Sequence, residues 1–289
     1  MSAVIRLLRI KDWVKNLFLF IPTFFAGNIF NFHDLGLTLG GAFAFSLVAS
    51  GIYIMNDYQD RHLDRLHPRK KKRPIASGEV SEKTAKILMV LLPLVGIVLA
   101  FLINLYFLYI LIIYVLLNIG YSMGLKNVAI LDLFIVASGF LLRVYAGGFI
   151  AEVPVTEWLA IMILLLALFL VTAKRRDDLI IRSETGELVR KASKSYNLEF
   201  INSCLTLLSA VIIVAYIMYT VSPAVTDRFE STYLFMTTMF VIAGIMRYLQ
   251  ITFVEQDSGS PTSILYKDKF ILITILGWIV SFYLIIYSS

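Results

Sequence analysis

Long apolar runs separated by short charged segments set the pattern of this chain. A helix crossing a bilayer needs about 20 mostly apolar residues. Windows of that length fit nine segments, at 16–32, 36–56, 84–103, 105–122, 129–150, 157–174, 200–221, 231–251 and 269–287. The pattern predicts an all-α integral membrane protein of nine transmembrane helices, forming one polytopic domain over residues 1–289. The third and fourth windows are divided only by Asn104, Leu105 and Tyr106. A single span over 84–122 would nevertheless be far longer than a bilayer requires.

Charge orients the spans. With the N-terminus inside, the N-terminal segment and the segments after spans 2, 4, 6 and 8 carry nearly all Lys and Arg, including Arg69-Lys70-Lys71-Lys72-Arg73 and Lys174-Arg175-Arg176. The other side holds Arg228, accompanied by Asp34, Glu152, Glu157, Asp227 and Glu230. The positive-inside rule therefore predicts N-terminus in and C-terminus out. Two motif loops, about 57–83 and 174–199, then face the cytoplasm of a cell inner (plasma) membrane.

Composition agrees. The chain is 59% hydrophobic and 16% charged, against roughly a quarter charged in soluble domains. Arg6, Arg9, Lys11 and Lys15 interrupt the N-terminus before an apolar core forms, so the first apolar segment reads as an anchor rather than a cleaved signal. The single cysteine, Cys204, excludes a disulfide framework. His33, His62 and His67 lack zinc-ligand spacing. Topology and phosphate binding account for the net charge of +6, and no nucleic-acid partner is implied.

The chemistry concentrates after span 2, in Asn56-Asp57-Tyr58-Gln59-Asp60-Arg61-His62-Leu63-Asp64. Asp57, Asp60 and Asp64 stand at i, i+3 and i+7, so a continued helix would bring them to one face. Carboxylates crowded in this way need a cation. Oxygen-only ligands suit Mg²⁺, which binds through one or two carboxylates plus substrate phosphates. These three aspartates are the predicted catalytic and metal-binding residues. The basic run ending at Arg73 suits either a lipid-headgroup patch or phosphate binding, and the two roles are compatible.

A second cluster follows span 6, where Lys174, Asp177, Asp178 and Arg182 fall on one side of a helix leaving the membrane. Arg143 lies inside span 5, where a charge is costly and should face a cavity or a buried partner. Asp132 is too far along that helix to pair with it. Gly147-Gly148 most simply permits a kink or close packing.

Asn56-Asp57-x-x-Asp60-x-x-x-Asp64, nine spans and a second acidic segment at 174–184 resemble the UbiA superfamily of intramembrane prenyltransferases over essentially the whole chain. The superfamily's second motif usually begins with a carboxylate, and here Lys174 stands in that place. Lys11-Asp12-Trp13-Val14-Lys15-Asn16, Arg73-Pro74-Ile75-Ala76-Ser77-Gly78, Tyr121-Ser122-Met123-Gly124-Leu125-Lys126, Ser138-Gly139-Phe140-Leu141-Leu142-Arg143 and Ala173-Lys174-Arg175 look like one branch, the decaprenyl-phosphate phosphoribosyltransferases.

That resemblance implies a Mg²⁺-dependent transferase for cell-wall precursor synthesis. The donor would be 5-phosphoribosyl diphosphate, and the acceptor a polyprenyl phosphate in the membrane. Asp57, Asp60 and Asp64 would hold the metal and the leaving diphosphate, beside Asn56. Arg73, Lys174 and Arg175 would hold donor phosphates, and Asp177 and Asp178 a second metal or the ribose hydroxyls. Lys15, Asn16 and Lys126 would fix the acceptor phosphate, while Arg143 pairs structurally or touches substrate. Homo-oligomerisation stays open. Two other readings remain: a UbiA-type prenyltransferase moving an isoprenyl group to an aromatic or lipid acceptor, against which the Lys174-Arg175-Arg176 run argues, and a lipid transporter, for which polar clusters would sit near the bilayer midplane.

Overall fold

The structure is a computed structural model, and it describes all residues except 1–2, 28–29, 67–69, 186–191, 228, 256–263, 265–266 and 288–289. Among the described residues every regular element is helical, as hydrocarbon demands: without water, backbone groups must pair within their own segment. The α-helices are α1 (Ala3–Leu8), α2 (Ile21–Phe25), α3 (Phe32–Leu66), α4 (Glu82–Ile103), α5 (Leu105–Met123), α6 (Leu131–Ile150), α7 (Glu157–Thr185), α8 (Leu198–Val221), α9 (Pro223–Thr226), α10 (Thr238–Gln250) and α11 (Lys269–Tyr287).

Seven stretches are long and apolar enough to cross a membrane: Phe32–Arg65, Glu82–Ile103, Leu105–Met123, Leu131–Ile150, Glu157–Glu184, Leu198–Val221 and Tyr233–Glu255, with Lys269–Ile285 as a shorter apolar helix. Ile87, Val90, Leu91, Leu94, Val98 and Phe101 of α4 are exposed. Their helical spacing makes a continuous apolar stripe that suits lipid, not water. The protein is a multi-pass integral membrane protein.

Three sequence expectations change in detail. The first predicted span, 16–32, is not one helix among its described residues: Ile10–Phe20 winds as a 3₁₀ helix and α2 follows. Pro22 at the start of α2 suits a helix's first turn but offers no N–H to the turn before it. The two motif segments, predicted as loops, begin as helix. α3 runs unbroken through Asp57, Asp60 and Asp64, and α7 carries Lys174 to Arg182. Continuing the helix keeps these backbone groups paired where a loop would release them.

The predicted break between the third and fourth spans is present. Asn104 is extended (φ −163°, ψ 134°) and ends α4. Its side-chain oxygen accepts from the N–H of Tyr106 (2.8 Å) and Phe107 (3.1 Å), capping α5. Asparagine is among the residues best suited to that role.

The chain forms two compact units. The first comprises Met1–Met123 and Leu142–Val155, the second Gly124–Leu141 and Thr156–Ser289. The first unit has a core of Leu19, Phe45, Val48, Phe107, Leu111 and Ala146, among others. Two glycines set helix approach there. A Cβ on Gly51 would lie 2.3 Å from the Pro93 ring, so the bare backbone of α3 at Gly51 makes room for the proline of α4. A Cβ on Gly147 would lie 1.9 Å from the Leu19 carbonyl oxygen, so Gly147 permits close packing and α6 lies directly on the 3₁₀ helix. The second unit is built on Leu133, Phe169, Leu179, Ile201, Leu205 and Tyr248, with others.

Candidate active site

In the first unit, Asp57 and Asp64 lie two helical turns apart on α3 and are both buried. Their carboxylates converge on one cationic atom: Arg73 Nη1 donates to Asp57 Oδ1 at 3.0 Å and to Asp64 Oδ2 at 2.8 Å. Arg9 Nη2 also donates to Asp57 Oδ1, at 2.5 Å. Asp60 is half-buried on the same helix. Among the described residues there is no group of three or more His, Cys, Asp or Glu that could hold a metal ion. Two of the three predicted carboxylates therefore converge. Asn56 accepts a hydrogen bond from the Ser122 hydroxyl, tying the motif's start to α5.

Two hard oxygen donors aimed at one positive centre fit Mg²⁺ by chemistry, since that ion takes one or two carboxylates and completes its shell with water and phosphate. The donor set fits the metal that the sequence implied.

A second constellation in the same unit surrounds Arg143, which is buried. Its Nε donates to Asn16 Oδ1 at 2.7 Å and its Nη2 to the Tyr114 hydroxyl at 3.2 Å. The guanidinium also lies over the Phe45 and Tyr114 rings, 4.6 and 5.0 Å from their centroids, an arrangement that favours a desolvated cation. Asn16 donates in turn to Ser46 Oγ at 2.7 Å. Neighbouring Lys15 donates to Asp12 Oδ1 at 2.6 Å. Burial works against its charge, but the Tyr53 phenol and the Asp12 carboxylate more than offset that, holding its pKa above the ordinary lysine value. Lys15 thus remains a cation at neutral pH.

The second unit holds the other motif on α7. Arg175 is buried. Its Nε donates to Asp132 Oδ2 at 2.7 Å and its Nη1 to Asp178 Oδ2 at 3.0 Å. Asp132 also accepts from the Tyr196 hydroxyl at 2.8 Å. That hydroxyl accepts the Ile130 N–H at 2.5 Å, and Ile130 sits at φ 69°, a left-handed conformation rare for a β-branched residue. Burial, with the Asp132 carboxylate, pushes the Tyr196 phenol up to about 12. Lys174 is exposed, Asp177 half-buried and Asp178 buried. Lys126 is half-buried in the short 3₁₀ turn Leu125–Asn127.

Sequence reasoning missed three of these residues. Arg9 carried no motif signal. Asp132 and Tyr196 were not joined to the second motif, although an acid inside one apolar span and an arginine ending another are charges that must find partners.

A model of the UbiA prenyltransferase family matches residues 17–267. The chain is 31% identical to a decaprenyl-phosphate phosphoribosyltransferase of Mycolicibacterium smegmatis, covering 100% of this chain and 93% of that protein. It is 30% identical to the protein of the same description in Corynebacterium glutamicum, covering 99% and 87%. A solved UbiA homolog from Archaeoglobus fulgidus, bound to DMAPP and Mg²⁺, superposes with a TM-score of 0.73 at 20% identity, covering all of both chains. With a family match over most of its length and full-length relatives of that kind, this chain belongs to the UbiA prenyltransferase family and is a membrane-embedded transferase.

Proposed function

We propose that this enzyme transfers 5-phosphoribose from 5-phosphoribosyl diphosphate to a polyprenyl phosphate of the decaprenyl type. The bond from ribose C1 to the diphosphate oxygen breaks, a bond from C1 to a lipid phosphate oxygen forms, and diphosphate leaves. The observation that carries this reading is the similarity to phosphoribosyltransferases of that description over the whole chain. The chemistry of both acidic motifs is compatible with it.

Asp57 and Asp64 are the residues we assign to Mg²⁺, with Asp60 on the same helix. The metal, when bound, would neutralise charge developing on the leaving diphosphate. Arg73 lies within reach of the same carboxylates and supplies a guanidinium fork for phosphate. A lipid phosphate is already an anionic nucleophile, so the reaction requires no general base. Lys15 stays protonated and is assigned to the acceptor phosphate, as is Lys126. Asn16 holds Arg143 in place through its amide oxygen.

In the second unit, Lys174 and Asp177 offer an ammonium for phosphate and a carboxylate for ribose hydroxyls. Asp178 pairs with Arg175 on the same helix, and Arg175 also ties α7 to Asp132 at the start of α6. The distribution of Lys and Arg supports a reaction at the cytoplasmic face of the plasma membrane, supplying a cell-wall precursor.

The test uses purified protein in detergent with Mg²⁺, 5-phosphoribosyl diphosphate and decaprenyl phosphate, with mass spectrometry of the lipid fraction. A phosphoribosylated lipid that disappears with EDTA is the expected result. Product only in a parallel reaction offering a prenyl diphosphate and an aromatic acid would overturn the assignment.

A further inference from the structure

The carboxylates and guanidiniums of the α3 cluster differ in exposure. The Asp57 and Asp64 side chains are each 4% exposed, whereas Arg9 is 29% and Arg73 31% exposed. The acids are enclosed in the protein and the bases lie on the more open side of the cluster. In these four side chains two negative charges meet two positive ones. A divalent cation entering alone has to push the guanidiniums off their carboxylates and leaves an excess of positive charge. A diphosphate entering with its cation brings oxyanions that those guanidiniums can take instead, and the arginine fork matches phosphate oxygens.

Arg9 is built for such a position. It sits at φ 51°, a left-handed conformation uncommon outside glycine, where α1 gives way to the 3₁₀ helix. The preceding residue is tethered to α3, because Ser50 Oγ donates to the Leu8 carbonyl at 2.8 Å. The Arg9 guanidinium lies 5.0 Å from the centroid of the Tyr53 ring, one turn before Asp57. Backbone, tether and ring together aim a single guanidinium at one carboxylate.

We propose that Arg9 and Arg73 are exchangeable counterions, neutralising Asp57 and Asp64 until a diphosphate arrives with its divalent cation, then passing to the phosphate oxygens. This rests on the assignment of Mg²⁺ and diphosphate to α3 made above. Its consequence is coupled binding: metal and diphosphate each tighten the other, and the two arginines carry that coupling. Couplings between ligands commonly amount to roughly 5- to 150-fold.

The test titrates the full-length protein in detergent with Mn²⁺, bound metal being read by electron paramagnetic resonance at fixed free Mn²⁺, with no anion, with inorganic phosphate or with inorganic pyrophosphate. Wild type is expected to bind Mn²⁺ weakly alone and at least about five-fold more tightly with pyrophosphate, with inorganic phosphate giving much less. Arg9→Gln and Arg73→Gln are expected to bind Mn²⁺ alone more tightly than wild type and to lose most of the pyrophosphate enhancement. Arg9→Lys and Arg73→Lys, which keep the charge without the fork, are expected to bind Mn²⁺ alone as wild type does and also lose enhancement. These lysine variants decide the matter if a glutamine variant does not fold. Full enhancement in the variants, or weaker binding of Mn²⁺ alone in the glutamine pair, would overturn the proposal, as would equal enhancement by phosphate. Asp57→Asn separates the two levels: unchanged Mn²⁺ binding in that variant would remove the metal assignment itself.

Discussion

The two acidic motifs use the same pairing, arginine with aspartate, in opposite ways. On α3 the carboxylates are buried and the guanidiniums reach them from a partly exposed side. On α7 the arginine itself is buried, 2% exposed, and Asp132 opposite it is fully enclosed. A guanidinium at a partly exposed edge can leave its partner for another oxyanion. One enclosed between two carboxylates and backed by a tyrosine cannot, because a buried charge without a partner is far costlier than one in water. The first arrangement is fit for ligand exchange and the second for holding a helix end still. Residue types alone do not distinguish them; which partner is enclosed does.

The sharpest way to break that contrast is to remove Asp132. Asp132→Ala takes a buried carboxylate away from Arg175, and should cost about 3 kcal/mol of stability, read as a lowered melting temperature in detergent. Melting like wild type would mean that the buried pair does not anchor the second unit. Next comes Asp57→Asn, which keeps shape and loses charge. Turnover should fall on the order of 100-fold or more, while stability stays within about 1 kcal/mol because Arg9 and Arg73 can turn to water. An unfolded Asp57→Asn protein would make both motifs structural and erase the distinction.

Tyr196 gives a pH-dependent version of the comparison. Its folded phenol titrates at about 12, against an ordinary value of 10.0. Between those values the folded state holds a proton that the unfolded chain has released, so stability falls as pH rises through that window and is fully present below it. Tyr196→Phe should flatten that part of the alkaline melting profile. An unchanged slope would detach Tyr196 from the Asp132 network. The smallest effect is expected at Lys174, exposed on α7: Lys174→Ala should shift stability by no more than about 0.5 kcal/mol yet raise the KM for 5-phosphoribosyl diphosphate. An unaltered KM would take Lys174 out of donor binding.

Much of this was readable from the chain because the bilayer simplifies the rules. Apolar length located the long helices and called for a break near Asn104-Leu105-Tyr106, which the capping bonds of Asn104 explain. The i, i+3, i+7 spacing placed Asp57 and Asp64 on one helix. Pattern could not reveal what pairs with what. Arg143 looked like a lone intramembrane charge, and its Asn16 and Tyr114 partners lie 127 and 29 residues away. Arg175 read as a phosphate ligand until its burial between Asp132 and Asp178 was visible. The first predicted span misled for another reason: hydropathy counts apolar residues but is blind to the winding of the backbone that carries them.

Gly147 links these observations to the tolerance of the chain for change. It lies one turn beyond Arg143 on α6, and the carbonyl it receives belongs to Leu19, one turn beyond Asn16. The contact between two backbones is what lets the Arg143–Asn16 hydrogen bond close at 2.7 Å. A single added methyl group, carrying neither charge nor chemistry, would wedge the two segments apart and withdraw a cation. Inactivating substitutions in this enzyme need not touch an acid or a base.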